Sequence, residues 1–272
     1  MEKLKKALER ARDLNHTSKT EQRPTQTVKK SIELDDLTQI IYTNTKSVHI
    51  PKEVLREKRV FSGDTKDQIS DQYKVLRTHV LQCLKSNKWN SLAITSPIEG
   101  CGKTLTAINL AISLAREVNH SVLLVDMDLR RPSIKNYFIE ETLPGISDYL
   151  NEDKELSEIL FNPGLDRIVL LPGNKPIENS SEMLSSPKVV KLVEELKSRY
   201  PNRIVVFDMP PLLSCDDVMA FSPYIDAVML VVSEGSTLKK ELARSCELLA
   251  NTNVIGTVLN KSTSVSLRSG YY

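Results

Sequence analysis

A lysine and a threonine that follow two closely spaced glycines form the stretch of this sequence best suited to chemistry. They end the segment Thr95-Ser-Pro-Ile-Glu-Gly-Cys-Gly-Lys-Thr104, which lies between the apolar run 91–94 and the helically spaced apolar residues of 105–115. A glycine-rich turn between a strand and a helix presents backbone N–H groups and the positive helix end to a phosphate group. The predicted nucleotide-binding residues of this loop are Glu99, Gly100, Cys101, Gly102, Lys103, Thr104 and Leu105.

Lysine and threonine at the end of such a loop have defined roles in phosphoryl transfer. Lys103 would reach the terminal phosphates of a nucleotide, and the Thr104 hydroxyl would bind Mg²⁺. One departure from the usual loop is Pro97, which occupies the position of the first glycine, five residues before Gly102. The sequence therefore predicts ATP and Mg²⁺ as cofactors and Lys103 as a catalytic residue.

Two predicted strands end in aspartates. Val-Leu-Leu-Val leads into Asp126 and Asp128, and Ile-Val-Val-Phe leads into Asp208. In an α/β fold the active residues lie at the carboxyl ends of the strands, so these side chains are expected beside the phosphate loop. One carboxylate would take the proton of an attacking hydroxyl while another supports the metal. We predict Asp126 and Asp128 as catalytic residues, either of them as the base, and Thr104, Asp126 and Asp208 as metal ligands.

The positions of these residues depend on a repeated alternation of strand and helix. Runs of leucine and β-branched residues without polar alternation are typical of strands buried on both faces of a parallel sheet. Helical spacing occupies the intervals, as in 187–198 and 238–250. We predict an α/β fold of the P-loop NTPase type, with a mostly parallel sheet and helices on both faces. The predicted strands after the loop are 121–128, 167–171, 203–208, 226–232 and 254–259.

Composition limits the classes of partner and compartment. The formal net charge is +2 and no basic strip is interleaved with aromatic residues, so nucleic-acid binding is not predicted. Four widely spaced cysteines without a C-x-x-C pair predict neither a disulfide framework nor a metal knuckle, and they fit a reducing cytosol. No apolar run approaches the length of a membrane span. Any membrane association is therefore expected through a partner or a surface.

Taken together, these motifs resemble those of the bacterial tyrosine kinases, or BY-kinases, of capsular and exopolysaccharide synthesis. The resemblance spans most of residues 67–272, and its most specific element is Asp126-Met-Asp-Leu-Arg-Arg-Pro132. The N-terminal segment 2–9 and the stretch up to Val60 are similar to the exosortase-associated tyrosine autokinases of that family. The other matching stretches are 96–104, Asp208-Met-Pro-Pro211, Gly145-Ile-Ser-Asp-Tyr-Leu150, Leu171-Pro-Gly-Asn174 and Gly256-Thr-Val-Leu-Asn-Lys261.

This resemblance implies an activity and its acceptors. It implies an ATP-dependent protein-tyrosine autokinase that phosphorylates Tyr271 and Tyr272, at the end of a flexible Ser-rich tail, in trans. It also implies that Asn260, at the end of the last strand, contacts adenine. The cycle of phosphorylation would regulate polysaccharide polymerisation or export.

The resemblance further implies a ring of subunits joined through a Glu-x-x-Arg-x-x-Arg helix. The matching positions hold Asp71, Lys74 and Arg77, which preserve the charges but shorten or weaken the pairs. They line one face of a helix predicted from about residue 67. Its apolar face is predicted to comprise Ile69, Tyr73, Leu76, Val80 and Leu84.

Partner and compartment follow from the same resemblance. A membrane-spanning polysaccharide co-polymerase of the chain-length-determinant type would activate the kinase. The protein would then be cytoplasmic and peripheral at the inner face of the cell membrane. The predicted domains are an N-terminal extension 1–61 (amphipathic helix, polar linker and packing segment), a P-loop tyrosine kinase domain 62–262 and a tyrosine-bearing tail 263–272.

A second class of P-loop protein remains as an alternative. Partitioning and division-site ATPases act as nucleotide switches without kinase activity, and they carry an extra lysine four residues before the second loop glycine. Ile98 occupies that position here. This difference favours the kinase.

Overall fold

The computed structural model describes residues 46–61, 68–117, 119–200 and 202–263. Within these ranges eight strands form one sheet, and every neighbouring pair is parallel except the fourth and fifth strands, which are antiparallel. The strands are β1 Lys46–Ser47, β2 Ser91–Thr95, β3 Ser121–Asp126, β4 Phe161–Asn162, β5 Ile168–Leu171, β6 Arg203–Asp208, β7 Ala227–Ser233 and β8 Val254–Asn260. Their order across the sheet is β1-β4-β5-β3-β6-β2-β7-β8.

Helices connect the strands and cover both faces of the sheet. The helices are α1 Lys52–Glu57, α2 Gln68–Asn87, α3 Lys103–Ala115, α4 Ile146–Glu152, α5 Leu156–Ile159, α6 Ser180–Leu184, α7 Pro187–Ser198, α8 Asp217–Phe221 and α9 Lys239–Leu248. Two 3₁₀ turns lie at Ile134–Tyr137 and Ser222–Tyr224. The predicted α/β fold with a mostly parallel sheet is confirmed.

Two hydrophobic cores form because successive strand residues point to opposite faces. On β3, Val122 and Leu124 join the core under α2 and α3, whereas Leu123 and Val125 join the core under α7 and α8. The central strands are therefore buried on both faces, which explains their unbroken apolar sequences. Helix α3 is buried along nearly its whole length, in agreement with its position between the sheet and α2.

Residues 46–61 are built into the sheet and its core. Strand β1 pairs with β4, and Leu55 and Val60 are each 1 % exposed. The Asn109 side chain on α3 bonds the backbone of Arg59 and Phe61. This stretch belongs to the segment predicted as an extension, and the proposed domain limits stay a prediction.

Helix α2 carries one departure from its predicted apolar face. Val80 and Leu84 are buried, and Tyr73 and Leu76 pack partly against the same core. Ile69, the second residue of the helix, is 45 % exposed because it lies beyond the edge of that core. Of the helices in the described ranges, none combines the length and the apolar character needed to cross a bilayer.

Candidate active site

The phosphate loop occupies the turn from β2 into α3. Gly100 and Gly102 have φ angles of +76° and +87°, a left-handed backbone that glycine adopts without strain. The helix begins directly afterwards, with the Thr106 N–H donating to the Gly102 carbonyl at 2.9 Å. No side chain among the described residues caps this helix, so its first N–H groups are available to an anion.

Lys103 lies between two carboxylates at the start of α3. Its Nζ donates to Asp128 Oδ2 at 2.8 Å and lies 3.7 Å from Asp208 Oδ1. The side chains of Lys103, Asp128 and Asp208 are 13 %, 7 % and 0 % exposed. The three predicted residues are therefore brought together at one buried point.

Thr104 and Asp208 form the second contact between the loop and a strand end. The Thr104 hydroxyl donates to Asp208 Oδ2 at 2.6 Å. The Thr95 hydroxyl, at the end of β2, donates to the Pro210 carbonyl at 2.7 Å. These bonds fix the segment after β6 against the phosphate loop.

Asp126 has a different environment from Asp128. Its Oδ2 accepts the N–H groups of Ser133 and Ile134 at 2.8 and 2.9 Å. A Cβ added to Gly173 would lie 2.5 Å from Pro132 Cβ, so that glycine allows the loop after Asp128 to pack closely. Asp126 thus holds the loop that follows Asp128, whereas Asp128 itself lines the cavity.

The charged groups around Lys103 shift one another's pKa values. Burial disfavours the charge of Lys103, but Asp208 and Asp128 outweigh it and raise the pKa of the lysine. Burial, together with the neighbouring Asp208 carboxylate, raises the pKa of Asp126. Burial likewise raises the pKa of Asp208, against the opposing effects of Lys103 and Thr104. The site is arranged for more positive charge than Lys103 alone provides.

The donor set fits a hard cation such as Mg²⁺. Asp126 Oδ1 and Asp208 Oδ1 are buried without a hydrogen-bond partner in the described part of the chain. Within the same residues, no group of three or more His, Cys, Asp or Glu side chains could hold a metal ion. Mg²⁺ does not need such a group, because it binds through one or two carboxylates together with water and substrate phosphates. The Thr104 hydroxyl completes a set of oxygen ligands.

A cavity of about 560 Å³ opens beside the loop. Its size is within the usual range for small-molecule sites. The predicted residues that line it are Glu99, Gly100, Gly102, Lys103, Thr104, Leu105 and Asp128. The residues that sequence reasoning did not place in the site are Arg130, Arg131, Ser133, Tyr137, Pro210, Pro211, Ser214 and Cys215.

Two arginines after Asp128 fix the mouth of the cavity. Arg131 Nη1 donates to both oxygens of Glu99 at 2.7 and 2.8 Å, across the opening and on the exposed surface. Arg130 Nε donates to the buried Asp217 at 3.2 Å. The Asp-Leu-Arg-Arg sequence could have indicated these contacts, but their partners lie far away in the chain.

Tyr137 contributes an aromatic wall. It lines the cavity in the 3₁₀ turn after the aspartate motif and is partly buried. Burial, and then the charge of Asp208, raises the pKa of its hydroxyl group. A single tyrosine in a loop has no spacing that would have revealed this position.

Cys101 and Asn260 link the phosphate loop to the residues after β7 and to the end of β8. Asn260 Nδ2 donates to the Cys101 carbonyl at 2.8 Å, and the Cys101 thiol is buried 3.5 Å from the Thr237 hydroxyl. The contact of Asn260 with adenine stays a prediction.

The predicted oligomerisation residues do not line the cavity. Asp71 and Lys74 pair with each other at 2.7 Å on the exposed face of α2. Arg77 bonds the Ser113 carbonyl at 3.2 Å and Glu117 at 3.0 Å. The role of these three residues in joining subunits stays a prediction. Tyr271 and Tyr272 lie outside the described residues.

Replacement of Gly102 by alanine is expected to weaken nucleotide binding. An added Cβ would lie 2.2 Å from Asn260 Nδ2, and the φ of +87° costs a non-glycine residue about 1–2 kcal/mol. We expect at least a tenfold loss of affinity for Mg-ATP in calorimetric titration. The loss should be smaller when G102A is introduced into N260A, which already lacks the steric contact, than when it is introduced into the wild type. Unchanged affinity in G102A would contradict the loop geometry.

Comparisons with known proteins bear on the fold and the family of this chain. Residues 90–244 match the family described as AAA domain. The solved chimerical protein CapA2B2 shares the fold, at 24 % identity with a TM-score of 0.69, over 80 % of this chain and 94 % of that chain. The kinase domain of the Escherichia coli tyrosine kinase ETK is 28 % identical, with a TM-score of 0.65, over 73 % of this chain and 79 % of that one.

One relative is similar enough over most of its length to establish the family of this chain. The tyrosine-protein kinase YwqD of Bacillus subtilis is 31 % identical over 206 residues, which are 75 % of this chain and 86 % of the relative. The alignment therefore takes in most of both chains. The chain belongs to the family of the bacterial tyrosine-protein kinases.

Proposed function

We propose that this protein is an ATP-dependent tyrosine autokinase that phosphorylates Tyr271 and Tyr272 of a neighbouring subunit. The observation that carries the proposal is the convergence of Lys103, Asp128 and Asp208 at the end of the phosphate loop. Positioning and charge neutralisation account for most of the catalysis of phosphoryl transfer, and this cluster supplies both.

The proposed reaction uses the chain's own groups in a defined order. The phosphates of ATP lie on the N–H groups of Gly100–Thr104, and Lys103 moves from Asp128 to the γ-phosphate. The tyrosine hydroxyl attacks the γ-phosphorus, the bond to the β-phosphate oxygen breaks and ADP leaves. The phenolic proton passes to the carboxylate of Asp128, which is free to accept it because Lys103 has moved away. Asp126 keeps the loop in place through Ser133 and Ile134.

Mg²⁺ would be held by Thr104, Asp208 and Asp126, and it would neutralise charge on the phosphates. One carboxylate oxygen each of Asp126 and Asp208 has no hydrogen-bond partner among the residues that the structure describes, which supports this assignment. Asp208 approaches both Thr104 and Lys103, so it links the metal position to the lysine.

The biological context is proposed from the family. Phosphorylation would regulate the polymerisation and export of a capsular or exopolysaccharide, with a membrane-spanning co-polymerase as activator. The protein would then lie at the inner face of the cell membrane through that partner. Association with an exosortase system, and a ring of subunits joined through Asp71, Lys74 and Arg77, are finer proposals of the same kind. The exposed pair on α2 is available for such contacts.

A nucleotide switch without kinase activity has less support. Ile98, at the position of the switch proteins' additional lysine, is partly buried against the hydrophobic core. An apolar side chain in this place provides no charge for a phosphate across a dimer.

The test is phosphotyrosine mapping by mass spectrometry after incubation of the purified full chain with Mg-ATP. We expect phosphate on Tyr271 and Tyr272 in the wild-type chain and none in Lys103→Met. A Tyr271→Phe/Tyr272→Phe variant should bind ATP normally and lose the label. Phosphate on serine only, or none even when the cytoplasmic tail of the co-polymerase is supplied, would refute the kinase and favour the switch.

A further inference from the structure

The last strand ends against the phosphate loop. Asn260 closes β8, and its side-chain amide donates to the Cys101 carbonyl at 2.8 Å. The backbone carbonyl of Asn260 accepts the Glu234 N–H at 2.9 Å. The turn after β7 and the end of β8 are therefore joined directly behind the loop.

Glu234 also holds the residues that follow β8. The chain bends at Lys261, whose φ is +58°, and the Thr263 N–H then donates to Glu234 Oε2 at 2.7 Å. The Thr263 hydroxyl lies 3.4 Å from the same oxygen. The backbone bond of Thr263, followed by the side-chain bond of Ser262, lowers the pKa of Glu234, so its carboxylate is charged. Three groups at the root of the tail thus converge on one acceptor.

A second contact ties the Glu234 turn to the phosphate loop. The Ser233 N–H donates to the Thr237 hydroxyl at 2.9 Å, which closes the turn around Glu234. That hydroxyl lies 3.5 Å from the buried Cys101 thiol inside the loop. The turn is therefore fixed to the loop independently of Asn260.

We propose that Glu234 is a positioning residue that anchors the root of the C-terminal tail beside the phosphate loop. This role in presenting the acceptor tyrosines rests on the proposed kinase function. Tyr271 lies eight residues beyond Thr263, a span of at most about 29 Å. Release of Lys261–Thr263 would place three more residues between the nearest fixed point and each acceptor tyrosine, and a longer tether lowers the effective concentration of its end. The anchor thus sets how far, and from which point, each acceptor tyrosine can reach.

The anchor is measured first without catalysis. In the full chain, the Thr263 amide should exchange hydrogen roughly tenfold faster in Glu234→Ala than in the wild type, because its hydrogen bond to a carboxylate is lost. Glu234→Gln retains an acceptor oxygen and should restore part of the protection. Glu247→Ala is the matched control, since it removes an exposed carboxylate on α9 that pairs with Arg244. Equal exchange in Glu234→Ala and the wild type would overturn the anchor.

The consequence for phosphorylation is measured with two acceptors. Phosphorylation of the chain's own tail should fall about 1.6-fold in Glu234→Ala, while that of an added peptide of sequence 264–272 should not change. Equal loss with both acceptors would overturn the positioning role. Amide exchange does not depend on phosphate transfer, so it tests the anchor even if the wild-type chain phosphorylates no tyrosine. Absence of tyrosine phosphorylation would refute only the proposed kinase function.

Discussion

Lys103→Met is expected to remove phosphoryl transfer and to destabilise the fold at the same time. Loss of a positioned cation at the γ-phosphate should lower the rate of tyrosine phosphorylation on the order of 10²–10³-fold. In the free protein, the lysine is the group that compensates Asp128, at 2.8 Å, and Asp208, at 3.7 Å. Removal of one partner from a buried ion pair typically costs about 3–5 kcal/mol.

The stability loss should depend on pH in a defined direction. Burial raises the pKa of Asp126 and of Asp208 in the folded chain even with the lysine present. Without its positive charge these folded-state pKa values rise further above their unfolded values. The penalty is then absent at low pH, where the carboxyl groups are protonated in both folded chains, and it grows as the pH rises through the raised folded-state pKa values of the wild type, about 8 for Asp126.

Chemical denaturation of the wild type, Lys103→Met and Lys103→Arg at several pH values separates the two effects. Lys103→Arg keeps the charge, so its free energy of unfolding should stay close to that of the wild type while its kinase activity is lost. A Lys103→Met chain as stable at pH 8 as the wild type would contradict the account of the buried cluster. A pH-independent loss would show that packing, rather than charge, is responsible.

The fold was largely predictable because its central strands are buried on both faces. Continuous apolar sequences such as Val122–Val125 are typical of strands in the middle of a parallel sheet, where both faces are buried. Strands β1 and β4 were not predicted, since each has two residues and forms only because partner strands lie beside it. A pattern that short has no period to detect.

The site was predictable where it depends on strand ends and not where it depends on loop paths. Asp126 and Asp208 are partners in neighbouring parallel strands, so their approach follows from the sheet. The bonds of Asp126 to the backbone beyond Pro132 depend on the route of the intervening loop, which no local spacing determines. The same holds for Arg77. Its three-residue spacing predicted the helix face on which it lies, but its hydrogen bond to the Ser113 carbonyl depends on the packing of α2 against α3.

Asp128→Asn is expected to lower the turnover number for tyrosine phosphorylation on the order of 10²–10⁴-fold, the usual contribution of a general base. Asp128 lines the cavity, and its Oδ2 becomes available when Lys103 turns to the phosphate. The Arg131 N–H donates to the other oxygen at 3.0 Å and keeps the carboxylate oriented. Affinity for ATP should change little, because the phosphate loop and Lys103 are retained.

Asp126→Asn is the comparison that assigns the base, which the sequence left open between two aspartates. An asparagine oxygen at this position can still accept the N–H groups of Ser133 and Ile134, so the loop should persist. Its turnover number at saturating Mg²⁺ should therefore fall much less than that of Asp128→Asn, although more Mg²⁺ would be needed to reach it. Single-turnover kinetics across a Mg²⁺ titration measures both quantities. If Asp126→Asn proved the slower enzyme at every Mg²⁺ concentration, the proton would have to pass to the buried carboxylate, and Asp128 would serve only to hold Lys103.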